Sequence, residues 1–156
     1  MLELKKKDGV RMIEIMQSIH KNWTCKIFSG KKTLELRKNK PSGIEYPIKV
    51  YIYEPLAHGG CGMVVGDYIL KFEPINSLFE NRTKLMSILS THSCVSSEYI
   101  VKYQAGKGTI YAWRISNCQR YDSPKALIDF GLGKPPQSWC YLSNSNMRGV
   151  NVNANA

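Results

Sequence analysis

The stretch Lys26-Ile27-Phe28-Ser29-Gly30-Lys31-Lys32-Thr33-Leu34-Glu35-Leu36-Arg37-Lys38 changes period at a glycine. Upstream, Trp23, Ile27 and Phe28 are spaced to share one face of a helix that starts near Asn22 and stops at Gly30. Downstream, polar and apolar residues alternate from Thr33 to Arg37, which predicts a strand with Glu35 and Arg37 on one face and Leu34 and Leu36 on the other. A carboxylate and a guanidinium therefore share a surface, with Lys32 just ahead of them. Lysine supplies a compact point charge, arginine a planar fork of donors for phosphate or a base edge, and a carboxylate accepts from an exocyclic amine or orients the arginine. Lys32, two residues after the helix-ending Gly30, is expected to swing over a cleft, so that its removal barely changes stability. The competing reading of Lys32, Glu35 and Arg37 is a partly exposed structural ion-pair network that contributes little.

Outward from this stretch the elements are short and alternate in type. Residues 12–19 read as a strand, as do 48–53 and 63–72, the last two separated by the breaker-rich Glu54-Pro55 to Gly62 loop. That loop contains Gly59-Gly60-Cys61-Gly62 but lacks the Lys-Ser/Thr continuation of a phosphate loop, and it reads as a flexible connection. Between Asn76 and Gly106 the pattern turns helical: Leu85, Met86, Ile88 and Leu89 share a face, and Ser96 caps a second helix carrying Tyr99, Ile100 and Tyr103. Residues 109–115 return to strand, Ser123-Pro124 opens a helix to about Phe130, and a last strand follows Pro135-Pro136. Five or six strands with short flanking helices predict a mixed α+β barrel. At 156 residues the chain suits one domain, placed at 1–142, with 143–156 as a disordered tail.

Charge narrows the function. The formal net charge is +10, and residues 1–40 hold eleven Lys or Arg against four Asp or Glu. Such a surface attracts phosphate backbones. No run of apolar residues approaches the ~20 of a membrane span, and the N-terminus lacks the apolar core of a signal peptide, so a cytoplasmic location with no membrane partner is expected. The five cysteines and three histidines are scattered without ligand spacing, which predicts reduced thiols, no metal and no cofactor. The sequons at Asn22 and Asn81 then have no chemistry behind them. No obligate protein partner is evident.

The run Ser18-Ile19-His20-Lys21-Asn22-Trp23 followed by Gly30, Lys32, Glu35 and Arg37 in G-x-K-x-x-E-x-R spacing resembles the opening of the ASCH domain. Asp122-Ser123-Pro124-Lys125-Ala126-Leu127 and Pro135-Pro136-Gln137-Ser138-Trp139-Cys140-Tyr141-Leu142 are similar to the close of bacterial and phage members. The resemblance covers residues 11–142. It implies a PUA-like β-barrel whose signature residues Gly30, Lys32, Glu35 and Arg37 line a cleft for RNA or a nucleotide. Among the aromatics, Tyr46, Tyr51, Tyr53, Tyr111, Trp113 and Trp139 lie on or near strands where a base could stack, with packing the better reading for Trp23 and Trp139.

The alternative is a small hydrolase acting on a modified nucleoside or RNA. ASCH-like amidohydrolases use the signature lysine, a threonine three residues on and a glutamate before a downstream helix. Lys32 fits the first role, but Glu35 stands in the second and Ser90 to Val95 contains no glutamate. Glu35 or Glu73 could serve as a base if buried, and His20 or His92 with Lys32 as an acid–base pair. A third class, a DNA-binding regulator, has no helix-turn-helix behind it.

Met147, Val150 and Val152 are the only sizeable apolar residues beyond Ser143. Deleting 143–156 should therefore leave the melting temperature nearly unchanged; a clear drop in a thermal melt would show that the segment packs on the domain.

Overall fold

The computed structural model describes residues 12–76, 82–104 and 109–143. Lys5, Lys6, Lys7, Arg11, the Leu85 side chain and the tail from 144 onward lie outside the described set. In chain order the elements are β1 (Glu14–Ser18), α1 (Lys21–Phe28), β2 (Leu34–Arg37), β3 (Ile48–Glu54), β4 (Met63–Leu70), β5 (Ile75–Asn76), α2 (Arg82–Ser93), α3 (Ser97–Gln104), β6 (Tyr111–Arg114), β7 (Ser116–Lys125) and β8 (Trp139–Tyr141). The described residues thus form three helices and eight strands in two sheets, an α+β fold.

The first sheet has the order β7-β4-β3-β1-β8 and the second the order β2-β6-β5. Only β1 and β3 run parallel, and α1 lies on the crossover between them. Alternation along β3 explains how the first sheet is covered on both faces. Ile48, Val50 and Ile52 enter a core with Ile15, Ile19, Ile27 and Tyr68, while Tyr51 and Tyr53 face a second cluster with Met16, Val64 and Leu142. Each fully buried aliphatic side chain contributes roughly 1.5–3 kcal/mol. A third cluster, Leu34, Leu89, Ile100, Ile110 and Ala112, fills the space between the second sheet and the helices α2 and α3. Trp113 of β6 reaches into the first sheet's core, edge-on to Trp139 at 5.6 Å, and so locks the two sheets together.

Three expectations are corrected. The first sheet is open rather than a closed barrel: β7 and β8 are its edges. Closure would need these two to pair, but β8 is three residues long and follows Pro135-Pro136, which donate no ladder hydrogen bonds. The helix expected from Ser123 to Phe130 is instead the end of β7 followed by a 3₁₀ turn at Leu127–Phe130. β7 is an edge strand, where Pro124 is tolerated because one side of the backbone has no ladder to complete. The Pro55 to Gly62 loop is anchored, not a loose connection: the Cys61 amide donates to Glu54 Oε1 at 3.2 Å and the Gly62 amide to Glu54 O at 2.9 Å. Among the described residues no helix is long and apolar enough to cross a membrane, and all five cysteines are free thiols.

Gly66 of β4 packs against the backbone of β7 and the Phe28 ring of α1. A Cβ there would collide with the Gln119 carbonyl oxygen and come within 2.6 Å of Phe28 Cζ. Gly66→Ala should lower the unfolding free energy by about 1–3 kcal/mol, read as a shifted midpoint in urea denaturation; an unchanged midpoint would contradict this packing.

Candidate functional site

The turn after α1 sets the site. Gly30 adopts φ +80°, and the Lys32 amide donates back to Lys26 O at 3.0 Å, which reverses the chain and directs the Lys32 side chain inward. Lys32 is only 2% exposed. Its Nζ donates to Ser93 O at 2.6 Å, pairs with Glu35 Oε2 at 3.2 Å and lies 4.9 Å from the Trp23 ring centroid. Glu35, also buried, turns its other oxygen to Arg37: Nε donates to Oε1 at 3.1 Å and Nη2 lies 2.9 Å from the same atom. The remaining Arg37 donors leave the second sheet altogether. Nη2 donates to Ser18 O at 2.7 Å, and Nη1 to Ser138 Oγ at 3.0 Å and to Ser138 O at 3.4 Å. The expectation that Lys32 swings freely and carries no structural load is therefore replaced by a buried, hydrogen-bonded ion network.

Below it, Tyr68 is fully buried and donates to Gln17 Oε1 at 2.7 Å. Burial pushes its hydroxyl pKa well up, the Glu35 charge pushes it further and Arg37 opposes, so Tyr68 remains a neutral donor. The Tyr103 hydroxyl is likewise raised, chiefly by burial.

Lys32, Glu35 and Arg37 lie at the bottom of a cleft of about 490 Å³. Ser18, Ile19 and His20 contribute one side as β1 runs out, and Trp23 follows from α1. Val95, Tyr99, Ile100 and Tyr103 come from the α3 segment, and Pro135, Pro136 and Gln137 from the approach to β8. His20 of this lining meets His58, which lies outside it, edge-on with centroids 5.0 Å apart. The His58 loop is held by buried Glu54, whose Oε2 accepts from Thr24 Oγ1 at 2.7 Å. This combination offers a net positive floor, a histidine pair and several rings: a place for an anion and a flat group together.

The structure brings three of the four expected site residues together. Gly30 is exposed and outside the cleft lining; its contribution is the turn. His92 is outside the lining too, with Nδ1 at 3.3 Å from Thr33 Oγ1. Glu73 is exposed, paired with Lys40 and outside the cleft lining. Trp113 and Trp139 are core, as expected for Trp139, whereas Trp23 is half-buried and lines the cleft. Sequence reasoning missed Tyr99 and Tyr103 as cleft residues; their four-residue spacing on a helix was the available signal. Among the described residues no three His, Cys, Asp or Glu converge as metal ligands would.

Two sheets, the crossover helix and the cleft at their seam define an α+β fold that is shared with ASCH crystal structures. In particular, the chain is similar to the crystal structure of ASCH from Zymomonas mobilis, with a TM-score of 0.67 and 22% identity over 84% of this chain and 88% of that one. A tyrosine-to-phenylalanine variant of the same protein matches with a TM-score of 0.66 and 21% identity, over 84% and 91% of the two chains. A serine-to-alanine variant matches at 0.63 and 22%, over 84% and 89%. No family model and no curated protein matches the sequence.

Removing Glu35 would leave the buried Lys32 and the half-buried Arg37 without their shared counter-ion. Glu35→Ala should cost about 3–5 kcal/mol of stability, whereas Lys32→Met, which keeps the volume and the Arg37–Glu35 pair, should cost less. Chemical denaturation of both variants checks the order, and equal stabilities to wild type would refute the buried network.

Proposed function

We propose that this chain binds RNA or a nucleotide in the cleft above Lys32, Glu35 and Arg37, acting in the cytoplasm. One observation carries the reading: two cations share one carboxylate at the bottom of a cleft walled by Trp23, Tyr99 and Tyr103. The surplus positive charge attracts phosphate in a site where water screens it little, and the rings offer faces for a base. Arg37 makes four hydrogen bonds within the protein and holds Glu35 and the walls in position, while Lys32, 2% exposed and itself bound to Ser93 O and Glu35, acts on the ligand through its charge at the cleft floor. Glu35 sets which hydrogen-bonding partner is preferred. The resemblance of the signature segment and the likeness to ASCH structures support the same reading.

A second reading, hydrolysis of RNA or a modified nucleoside with Lys32 or Glu35 in the machinery, is favoured by His20 lying in the same cleft as Lys32, with His58 beside it. Loss of full-length RNA over time with wild type but not His20→Ala would select it.

Binding itself is tested by titrating a labelled single-stranded RNA oligomer and a panel of nucleotides. Affinity should fall with salt, at a slope of roughly −0.7 per phosphate neutralised, and Lys32→Met, confirmed folded by its melt, should lose most of it. Salt-independent affinity, or wild-type affinity in folded Lys32→Met, would overturn the mechanism.

A further inference from the structure

The α3 helix presents its polar and apolar faces in an unusual way. Ile100 is buried and fastens the helix to the second sheet, and Ser96 Oγ accepts from the Tyr99 amide at 3.2 Å, fixing the first turn. Against this fixed frame the Tyr99 ring is 57% exposed while still lining the cleft. One turn on, the half-buried Tyr103 ring lies with its centroid 6.3 Å from that of Tyr99 and its plane within 13° of it. Lys38 Nζ sits 4.6 Å from the Tyr103 centroid. Near-parallel aromatic faces on a rigid helix, with a cation alongside and two more at the cleft floor, separate a place for a base from places for phosphate.

We infer that α3 carries a base-stacking platform, in which the Tyr99 ring, backed by Tyr103, takes an unpaired base of single-stranded RNA at the mouth of the cleft. This rests on the RNA-binding reading and narrows it to strands with accessible base faces. A duplex keeps its bases stacked on one another and has none to offer Tyr99 except at its ends. Lys38 neutralises the phosphate next to the stacked base, while the buried Lys32 adds the pull of its charge from the cleft floor. The charge complementarity of these lysines favours RNA over a second copy of this chain, which carries the same net charge of +10.

The test uses the full chain and a short RNA with 2-aminopurine placed at each position in turn, single-stranded and as a blunt duplex. Wild type and Tyr99→Phe should quench the fluorophore at one or two positions of the single strand. Tyr99→Leu, an exposed substitution that keeps the fold, should lose the quench and bind that strand roughly 5- to 150-fold more weakly, with duplex binding unchanged. If wild type binds RNA but Tyr99→Leu quenches and binds equally well, the platform is wrong and the cleft reading stands. If wild type binds no RNA, both fail. A wild-type dimer in sedimentation that Tyr99→Leu dissociates, with RNA binding intact, would assign the ring to a second copy and also overturn the platform.

Discussion

Glu35 sits between Lys32 and Arg37, and the rest of the molecule is arranged around that one carboxylate. Through its two cations it connects the turn after α1, the strand β2, the C-terminal end of α2 at Ser93, the last residue of β1 at Ser18, and Ser138 just before β8. Buried charges of this kind are costly unless their geometry and remaining donors are satisfied, and here backbone carbonyls complete the satisfaction. The site is therefore part of the frame. Its residues hold the sheets in register while leaving a positive surplus at the bottom of the cleft.

The position of that cleft follows from how the two sheets meet. Trp113 from the second sheet penetrates the core of the first and packs on Trp139, which in turn meets Tyr141 edge-on at 5.3 Å. With the sheets joined there by apolar packing and, beside it, by Arg37, the opening between β1, α3 and the Pro135-Pro136 segment is left as the concavity. Large aromatic side chains supply the rigidity, and the prolines stiffen the wall opposite, since their φ is fixed. A cleft built this way presents preorganised groups rather than loops that must order.

Period and punctuation made most elements legible. The switch at Gly30, the alternation in β3, and the Ser96 cap of α3 are local signals, and each appears in the structure within a few residues of where it was read. Ser123-Pro124 failed for an equally physical reason. The pair opens helices in isolation, but in β7 it lies on an edge strand that pairs only with β4, so a neighbouring strand outweighed the local preference. Barrel closure was illegible because it depends on whether two strands far apart in sequence pair, and three-residue β8 leaves that to the surroundings.

The candidate site divides in the same way. From the sequence alone came the identity of Lys32, Glu35 and Arg37 and the fact that Glu35 and Arg37 share a strand face, since side-chain direction in a strand repeats every two residues. Only the tertiary structure decided that these charges are buried and that Arg37 is spent on Ser18 and Ser138, 19 and 101 residues away in sequence. It also decided that Tyr99 and Tyr103 reach the same cleft from α3. Local periodicity fixes which way a side chain points from its own element; what it meets there depends on long-range packing, which no short stretch of sequence contains.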